Sequence, residues 1–382
     1  MPNDAPALPQ PILITGAGGF VGRNLVATLH AMGCKDLLLF EKDDTVETLA
    51  DYCRQAAFVV HLAGINRPKD PSEFYSGNAG LTDTMLQLLA ECGNKAPVLV
   101  TSSIQAALDN DYGKSKKQAE DAIFAHGNAL GSPVYVFRME GVFGKWCRPN
   151  YNSVVATFCH NIARGLPIQV RDPAYELPLV YIDDVIDCIL DAMLHGQAQR
   201  DEEGYCRIHP VHRVTLGHLA ELIESFANAR RGSLAVPFLA EGSFEKKLYS
   251  TYLSYLPTDQ FAYDLNTHAD ERGSFTEALR TPERGQVSVN ISKPGIVKGN
   301  HWHHTKNEKF LVVQGEGVVR FRRIDSDEVI EYRVSGNKLQ VVDIPCGYTH
   351  NIENIGAGDM VTLMWANECF DSDHPDTFYL PV

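Results

Sequence analysis

Two patterns of hydrophobic positions divide the chain. From Pro11 to about Leu194, short apolar runs alternate with stretches whose apolar positions recur every three to four residues. The short runs predict buried strands, and the stretches between them predict helices. Alternation of this kind is typical of a parallel sheet with helices on both faces. We therefore expect an α/β fold in the first part of the chain.

Individual elements of this first part can be assigned from the same pattern. Strands are predicted for the segments PILITG, DLLLFE, AAFVVHLAG and PVLVTSS, and a helix is predicted for GRNLVATLHAMG, ending at Gly33. Another helix begins near Tyr112 and leads to the strand segment SPVYVFRMEGVFG. Residues 211–232 and parts of 243–256 also have a helical pattern.

The pattern changes after about residue 262. Short strands punctuated by Gly, Asn and Pro are predicted there, in GQVSVNISKPG, KFLVVQGEGVVRFRR, EVIEYRVSG, KLQVVDIP and DMVTLMWAN. Such a succession predicts an all-β domain, either a small barrel or a double-sheet jelly roll. We place the boundary near residue 250, which gives a first domain at residues 1–250 and a second at residues 251–382.

Composition and charge limit the partners and the location. The chain of 382 residues is long enough for two domains, and its net charge of −14 argues against nucleic acid or an anionic membrane as a partner. Its nine cysteines have no Cys-x-x-Cys spacing, which favours reduced thiols over a disulfide framework. No signal peptide and no apolar run near the length of a membrane span is apparent. We therefore expect a cytoplasmic protein.

A glycine-rich turn, TGAGGFVG, follows the first strand and opens the first helix. Glycines let the backbone approach a pyrophosphate closely, and the N-terminus of the helix supplies N–H donors. The turn therefore predicts a dinucleotide site. The expected cofactor contacts in and near the ends of the first strands are Gly16, Gly19, Phe20, Val21, Gly22, Leu62, Ala63, Gly64 and Asn78.

Charged residues near the second strand bear on the choice of cofactor. Glu41 ends that strand, where an acidic side chain typically binds the ribose hydroxyls of NAD. Lys42 and Arg23 would instead suit the 2′-phosphate of NADP. These residues also permit a plain solvated strand end, so the local sequence leaves NADP(H) and NAD both open.

A Tyr-x-x-x-Lys pair indicates carbonyl chemistry. Tyr112 and Lys116 share one face of a predicted helix, and Ser102 and Ser103 end the strand just upstream. Reduction of a ketone needs a proton donor beside the developing alkoxide. A lysine ammonium is expected to lower the pKa of a neighbouring phenol, and a serine hydroxyl polarises the carbonyl. Serine, tyrosine and lysine side chains in this order therefore indicate the reduction of a ketone.

Together these motifs resemble the extended short-chain dehydrogenase/reductases. The likeness spans residues 11 to about 240 and rests on TGAGGFVG, HLAG, VTSSIQA, YGKSK, RMEGVFG and LVYIDDV. It implies a Rossmann fold, a nicotinamide dinucleotide that also contacts Tyr112 and Lys116, and a nucleotide-sugar substrate. It also implies that Ser103 is the catalytic serine, Tyr112 the acid/base and Lys116 the activating lysine. Lys145, Arg148 and Asn152 become candidates for binding the sugar or its diphosphate, although solvated loop residues explain them equally well.

Histidines and a glutamate cluster in the second domain. They are His301, His303 and Glu308 in PGIVKGNHWHHTKNEKFLVVQG and His350 in PCGYTHNIEN. Three imidazoles and one carboxylate suit Zn, Fe, Mn, Ni or Cu. The spacing resembles the two cupin motifs, with Leu339 where the second motif expects glycine. The resemblance implies a jelly-roll barrel that binds a divalent metal, with zinc as the first choice, and a homodimer.

A second resemblance concerns the segments DERGSFTE and KGNHWHH. They are similar to the start of the deoxysugar 3,5-epimerases, which are metal-free cupins in which the matching histidine is a base and the arginine binds substrate. This similarity implies a substrate contact for Arg272. It also gives His301 two competing roles, metal ligand or base.

Over the whole chain, SSIQA, DNDYGKSK and GNHWHHTKNEKF resemble bifunctional epimerase/reductases of capsular polysaccharide synthesis. The resemblance implies that the barrel epimerises C3 of a UDP-linked 4-keto-6-deoxy-HexNAc and that the first domain reduces the C4 ketone with NADPH. The product would be a UDP-N-acetyl-6-deoxy-talosamine on the route to UDP-N-acetyl-L-fucosamine. Two alternatives are a reductase whose barrel only stabilises or dimerises the protein, and a non-catalytic sensor of a nucleotide sugar or NADP.

Overall fold

The computed structural model describes residues 7–65, 70, 74–237, 239–281 and 283–382. The chain forms two compact units. The first contains Met1–Ile223 and Lys247–Leu256, and the second contains Glu224–Lys246 and Pro257–Val382. The chain thus passes between the units more than once. The boundary predicted near residue 250 falls inside a helix, Phe244–Leu253.

A five-stranded parallel sheet forms the centre of the first unit. Its strands are β1 (Ile12–Thr15), β2 (Leu37–Phe40), β3 (Phe58–His61), β4 (Val98–Ser103) and β5 (Val134–Met139). They lie in the order β2-β1-β3-β4-β5, with every pair parallel. These strands are the apolar runs of the sequence pattern, and the predicted parallel α/β fold is confirmed.

Helices cover both faces of this sheet. In chain order, the described α-helices are α1 (Phe20–Ala31), α2 (Val46–Gln55), α3 (Leu81–Glu91), α4 (Asp111–Leu130), α5 (Val154–Ala163), α6 (Ile182–His195), α7 (Leu216–Asn228) and α8 (Phe244–Leu253). Ile12 and Ile14 of β1 pack with α1 and α6, whereas Leu13 between them packs with α2, α3 and α4. Within the described ranges, no helix combines the length and apolarity needed to cross a membrane.

A second, smaller sheet corrects one sequence expectation. Its strands are β6 (Gly141–Phe143), β7 (Glu176–Tyr181) and β8 (His212–Thr215). Residues 211–232 were expected to be helical throughout, but β8 pairs antiparallel with β7, and Val214 is buried by that pairing. The helix begins only at Leu216, because the ladder hydrogen bonds and the buried valine favour a strand before it.

Two antiparallel sheets form the second unit. Their strands are β9 (Thr267–Asp270), β10 (Gly273–Thr281), β11 (Gly285–Ser292), β12 (Val297–Trp302), β13 (Glu308–Gln314), β14 (Glu316–Arg323), β15 (Val329–Ser335), β16 (Val341–Ile344), β17 (Tyr348–Asn354), β18 (Met360–Ala366) and β19 (Phe378–Tyr379). One sheet has the order β16-β13-β18-β11-β10-β9 and the other β15-β14-β17-β12-β19. The predicted all-β, cupin-like fold is confirmed.

The core of this second unit lies between its two sheets. Phe310 and Val312 of β13 pack with Phe321 of β14 and Ile352 of β17. Strand β11 departs from the usual pattern, because its buried positions are polar and its partly exposed positions are apolar. The polar residues that β11 buries are Gln286, Ser288, Asn290 and Ser292.

Candidate active site and metal centre

The glycine-rich turn contains two glycines at which any side chain would force the neighbouring backbone to move. Gly16 has a φ of +71°, and a Cβ at this position would lie 2.8 Å from the backbone nitrogen of Ala63. A Cβ on Gly22 would lie 2.3 Å from the carbonyl oxygen of Gly16. The turn therefore passes directly against the end of β3, and α1 begins at its exit. A glycine turn that leads into the N-terminus of a helix is the arrangement that binds a pyrophosphate in dinucleotide sites.

A cavity of about 990 Å³ extends from this turn across the carboxyl ends of β4 and β5. It brings together most of the residues that the sequence analysis selects in the first unit. Those on its lining are Gly16, Gly19, Phe20, Val21, Gly22, Leu62, Gly64, Ser103, Tyr112, Lys116, Arg148 and Asn152. Five other candidates do not line it, namely Glu41, Lys42, Ala63, Asn78 and Lys145.

Asn78 holds the loop after β3 in place. Its Oδ1 accepts a hydrogen bond from the Ile65 backbone N–H at 2.8 Å, and its Nδ2 donates to the Ser115 hydroxyl at 3.1 Å. The side chain is buried, and its bonds join the loop to helix α4. Asn78 therefore supports the loop beside the cavity, and the cofactor contact expected from the sequence stays a prediction.

Glu41 and Arg23 place opposite charges beside the glycine turn. The Glu41 carboxylate accepts a hydrogen bond from the Gly18 N–H at 2.5 Å. The Arg23 guanidinium donates to the carbonyl of Trp146 at 2.5 Å. Both residues border a second, open cavity of about 540 Å³. An acidic side chain that favours NAD and a basic side chain that favours NADP(H) therefore both lie beside the turn.

Ser103, Tyr112 and Lys116 converge at the end of β4. The hydroxyls of Tyr112 and Ser103 are hydrogen-bonded. The neighbouring Ser102 is buried and donates instead to Glu120 Oε1 at 2.6 Å. Ser103 is therefore the serine that faces the phenol. Lys116 Nζ lies 3.5 Å from the carbonyl oxygen of Thr101, at the cavity wall.

The protonation states of this set suit a reduction. Burial raises the pKa of Tyr112, and the hydrogen bond from Ser103 lowers it less. Burial lowers the pKa of Lys116 to about 8, although the charge of Glu120 opposes this shift. The Tyr-x-x-x-Lys pattern predicts a lowered pKa for the phenol, but burial outweighs the other influences on the Tyr112 pKa. Tyr112 is consequently protonated at neutral pH, which is the form that donates a proton to an alkoxide.

A buried ion pair that the sequence pattern does not indicate lies behind this set. Arg138 of β5 donates to both carboxylate oxygens of Glu120, at 2.6 and 2.9 Å, and its guanidinium lies 3.5 Å from the centre of the Tyr205 ring. Glu120 stands four residues beyond Lys116 on α4, so the pair fastens the helix that carries the catalytic candidates to the sheet. The feature of the sequence that could have indicated this ion pair is Arg138, the arginine of RMEGVFG.

Another missed residue is Glu140, one position beyond the end of β5. The strand residue before it, Met139, pairs in register with Ser103. Glu140 lines the same cavity as Ser103 and Tyr112. Its buried Oε2 has no hydrogen-bond partner among the described residues. A carboxylate oxygen in this position can accept a hydrogen bond from an O–H or N–H group of a bound molecule.

The three loop residues suggested for substrate binding separate into two groups. Arg148 and Asn152 line the cavity, and the Arg148 guanidinium lies 5.1 Å from the centre of the Tyr151 ring. Lys145 forms an ion pair with Asp183 and does not reach the lining. A guanidinium and an amide at the cavity wall can bind a diphosphate or a sugar hydroxyl.

In the second unit, all four predicted metal ligands come together. His301 of β12 is paired in register with His350 of β17, and Glu308 begins β13. One ligand atom from each of His301, His303, Glu308 and His350 lies within 4.8 Å of the others. The additional histidine of the motif, His304, packs its ring against Trp302 and Phe378 instead.

Burial and charge make this cluster suitable for a cation. His303 and His350 are 1% and 0% exposed. His303 Nε2, Glu308 Oε2 and both ring nitrogens of His350 are buried without a hydrogen-bond partner among the described residues, although buried polar atoms are normally paired. Glu308 Oε2 lies 3.5 Å from His303 Nε2 and 3.3 Å from His350 Nε2. The donor set thus fits a divalent metal ion.

The pKa values of the cluster agree with that fit. Burial raises the pKa of Glu308, but the close imidazoles of His303 and His350 lower it more strongly, so the carboxylate is ionised. Burial and the charge of His350 lower the pKa of His301 to about 4. A neutral imidazole and an ionised carboxylate are the forms that bind a metal.

Asp376 is a neighbour of the cluster that no sequence pattern indicated. Its carbonyl oxygen accepts a hydrogen bond from His303 Nδ1 at 2.6 Å, which leaves the Nε2 lone pair facing the cluster. Its carboxylate accepts from the backbone N–H groups of His304, Thr305 and Lys306 at 2.9 to 3.0 Å. Because 73 residues separate Asp376 from His303, only the fold brings them together.

Arg272 lies in the turn between β9 and β10. Its guanidinium forms an ion pair with Asp270 at 2.6 Å, and its side chain is 60% exposed. The residue is not part of the metal-ligand cluster.

Comparison with known proteins matches both parts of the chain to known families. Residues 12–205 match the NAD dependent epimerase/dehydratase family, and residues 268–378 match the polysaccharide biosynthesis C-terminal domain. The chain is 44% identical over 371 residues to UDP-2-acetamido-2,6-beta-L-arabino-hexul-4-ose reductase of Pseudomonas aeruginosa, which covers 97% of this chain and 98% of the relative. It is 26% identical to UDP-glucose 4-epimerase of Vibrio cholerae over 50% of this chain and 69% of that protein.

A solved structure has the same fold over nearly the whole length. The capsular polysaccharide assembling protein CapF from Staphylococcus aureus superposes with a TM-score of 0.90, at 52% identity, over 97% of this chain and 100% of that chain. The parallel-sheet unit and the antiparallel unit are therefore parts of one shared architecture. The chain belongs to the NAD dependent epimerase/dehydratase family, as a member that also carries a polysaccharide biosynthesis C-terminal domain.

Proposed function

We propose that this protein reduces the C4 ketone of a UDP-linked 4-keto-6-deoxy-N-acetylhexosamine. The observation that carries the proposal is the convergence of Ser103, Tyr112 and Lys116 on a cavity that begins at the glycine turn. The name of the Pseudomonas relative, a UDP-2-acetamido-hexul-4-ose reductase, supports a ketone at the same carbon.

In this proposal each side chain has one task. The Ser103 hydroxyl polarises the C4 carbonyl, and protonated Tyr112 donates its proton to O4 as C4 accepts a hydride. The Lys116 ammonium offsets the charge of the phenolate that remains until solvent protonates it again. When bound, the dinucleotide supplies the hydride. The product therefore gains one hydrogen on C4 and one on O4.

The glycine turn would hold the dinucleotide through its backbone. Gly16, Gly19 and Gly22 let the pyrophosphate approach, and the N–H groups of Phe20 and Val21 open α1. We propose NADP(H) as the preferred cofactor, with Lys42 and Arg23 near the 2′-phosphate and NAD as the alternative. The Glu41 carboxylate opposes that preference, so its replacement is a direct test.

Arg148 and Asn152 would bind the UDP part of the substrate from the cavity wall. An arginine can contact two phosphate oxygens at once, which compensates locally for the net charge of −14. The unpaired Oε2 of Glu140 would accept a hydrogen bond from the neutral sugar. Opposite charges on the lining thus favour one orientation of the substrate.

For the second unit, we propose that His301, His303, Glu308 and His350 hold a divalent ion, with zinc as the first choice. The unpaired buried nitrogens and the ionised carboxylate support this proposal. When bound, the ion would supply Lewis acidity that stabilises negative charge on a sugar oxygen.

We also propose that the barrel unit epimerises C3 of the same sugar before the reduction. The C3 proton is acidic while C4 is a ketone, because the enolate that forms is delocalised. Loss of this proton and its return on the other face invert C3, whereas reduction at C4 removes the acidity. Epimerisation must therefore come first, and the product would be a UDP-N-acetyl-6-deoxy-talosamine, a precursor for UDP-N-acetyl-L-fucosamine in capsule synthesis.

The test is NMR of the products formed from UDP-4-keto-6-deoxy-HexNAc and NADPH in D₂O. Deuterium at C3 together with a hydroxyl at C4 is the expected result. Tyr112→Phe should keep the C3 label and lose the reduction, whereas the double variant Glu308→Ala/His350→Ala should show the opposite. A C4 alcohol without any C3 label would rule out the epimerase half and leave the reductase half standing.

A second candidate role for the barrel, stabilisation or dimerisation, is favoured by its surface. Leu311 of β13 pairs in register with Val341 and Leu363, which form an apolar row on the outer face of the six-stranded sheet. Val341 is 57% exposed. We propose that a homodimer buries this row. Light scattering should give a dimer for the wild type and a monomer for Val341→Asp, whereas Val329→Asp on the other sheet should remain dimeric.

A further inference from the structure

Asp376 contacts the candidate metal centre through its backbone and its side chain, but it is not one of the candidate ligands. Its carbonyl oxygen accepts the hydrogen bond from His303 Nδ1. Its carboxylate accepts hydrogen bonds from the backbone N–H groups of His304, Thr305 and Lys306. It also accepts one from the hydroxyl of Thr305 at 3.1 Å. Asp376 therefore acts on one ligand directly and on the turn that follows that ligand.

That turn determines how two ligands are spaced. It connects β12, which ends at Trp302, with β13, which begins at Glu308. His303 precedes the turn and Glu308 follows it. Three N–H groups that converge on one carboxylate hold the turn in a single conformation, and bonds of this charge-assisted kind are stronger than neutral ones.

The backbone of Asp376 is itself held in a conformation that a non-glycine residue rarely adopts. Its φ is +38°, in the left-handed region. This conformation directs the carbonyl toward His303 while the side chain reaches the turn. A strained residue persists only where its surroundings impose it, and here the contacts on both sides of the residue do so.

The segment after Asp376 reaches a third ligand. Strand β19 pairs with β12, with His301 opposite Tyr379. The Leu380 N–H donates to the carbonyl of Asn300 at 2.9 Å. Asp376 and the residues that follow it thus contact the backbone or ring of His301 and His303 and the turn that leads to Glu308.

We propose that Asp376 is a positioning residue for the metal centre, which sets the ring of His303 and the spacing between His303 and Glu308. The inference rests on the proposed metal site. Hydrogen bonds to the second nitrogen of a metal-bound histidine fix its tautomer and orientation, and their loss typically weakens metal affinity by about 10- to 100-fold.

The experiment measures zinc affinity of the full-length protein by competition with a chromophoric chelator. Asp376→Ala removes the carboxylate that holds the turn and should weaken zinc binding by roughly 10- to 100-fold. Asp376→Asn keeps one acceptor oxygen and should recover part of the affinity. Asp373→Ala, an exposed position in the same segment, should bind zinc as the wild type does.

Cobalt(II) provides a second readout, because its visible bands report the geometry of the ligands. Asp376→Ala should change the intensity of these bands, whereas Asp373→Ala should leave them unchanged. A role that is only structural predicts a lower melting temperature of the metal-free protein with unchanged zinc affinity and cobalt spectrum, and that outcome would overturn the proposal. Circular dichroism and ketone reduction by the first unit show whether each variant is folded.

A different result would contradict the proposed metal site itself. If the wild-type protein binds neither zinc nor cobalt, the metal centre is wrong, and the role of Asp376 is overturned with it. If the wild type binds and Asp376→Ala binds equally well, only the role of Asp376 is overturned.

Discussion

The cavity of the first unit and the metal centre of the second bring polar groups together in different ways. In the first unit, Ser103 ends a strand, and Tyr112 and Lys116 lie on the next helix, so neighbouring parts of the chain line an open cavity. In the second, His301, Glu308 and His350 come from three antiparallel strands and are largely buried. Proximity in the first case follows from local sequence, and in the second it follows from strand register.

This difference predicts different sensitivities. An open cavity tolerates changes on its wall as long as the reacting groups keep their places, so single substitutions should affect the chemistry more than the stability. A buried cluster held by register should respond to a lost ligand with changes in stability and metal affinity together. The following predictions run from the largest expected effect to the smallest.

Tyr112→Phe removes the proton donor and leaves the shape of the cavity intact. We expect the rate of ketone reduction to fall by about 10²- to 10⁴-fold, the usual contribution of a general acid. The measurement is NADPH oxidation under substrate saturation. A melting temperature equal to that of the wild type should accompany the loss. Retention of more than a tenth of the activity would contradict the role of Tyr112.

His350→Ala removes a fully buried ligand from the metal cluster. At a zinc concentration of about 100 times the dissociation constant, binding stabilises a protein by about 2.7 kcal/mol. We expect most of this zinc-dependent stabilisation to disappear, as measured by denaturant unfolding with and without zinc. The matched control is His304→Ala, because that ring packs against Trp302 and Phe378 instead of the cluster. An equal loss in both variants would argue against metal binding.

The pH dependence of the reductase should report Lys116. Burial lowers its pKa to about 8, so the ammonium that offsets the phenolate is present below pH 8 and lost above it. We expect kcat/KM to fall as pH rises through about 8. Lys116→Arg, which stays charged, should move this limit upward even if its maximal rate is lower. An unchanged limit in the arginine variant would assign the titration to another group.

The same shift has a consequence for stability with the opposite direction. Folding lowers the pKa of Lys116 below its ordinary value, so the folded state disfavours the ammonium. The resulting penalty is fully present below pH 8 and is relieved as pH rises toward the ordinary lysine pKa, near 10.4. Lys116→Met removes this penalty, so the variant should have a larger free energy of unfolding than the wild type below pH 8. Chemical denaturation should show this difference shrinking as pH rises from about 8 to about 10.4.

Glu41→Gln should have the smallest effect of the series. The substitution removes a negative charge beside the glycine turn but keeps an oxygen that can accept from the Gly18 N–H. We expect the preference for NADPH over NADH to rise by about tenfold, or roughly 1.4 kcal/mol, because the 2′-phosphate meets less repulsion. The ratio of kcat/KM for the two cofactors measures it. A ratio that does not move would place the 2′-phosphate away from Glu41.

The sequence predicts most of what depends on local pattern. The strands of the parallel sheet follow from runs such as LLLF and FVVH, and the four metal ligands follow from two short motifs. The raised pKa of Tyr112 could not be predicted, because it comes from burial, which appears only in the folded chain. Strand β8 was assigned to a helix, since its pairing with β7 leaves no mark on the local pattern. The role of Asp376 could not be predicted either, because its contact with His303 joins positions 73 residues apart.

The route of the chain between the two units limits how the protein can be divided. Helix α8 contributes Lys247, whose ammonium pairs with Asp184 at 2.7 Å within the first unit. The Tyr255 hydroxyl, just beyond the helix, donates to the carbonyl of Cys147 at 2.5 Å, next to Arg148. A gene split at codon 250 would remove Tyr255 from the polypeptide that needs it. The two units are therefore interleaved along the gene, and any single cut between residues 223 and 257 would leave part of one unit on the polypeptide that carries the other.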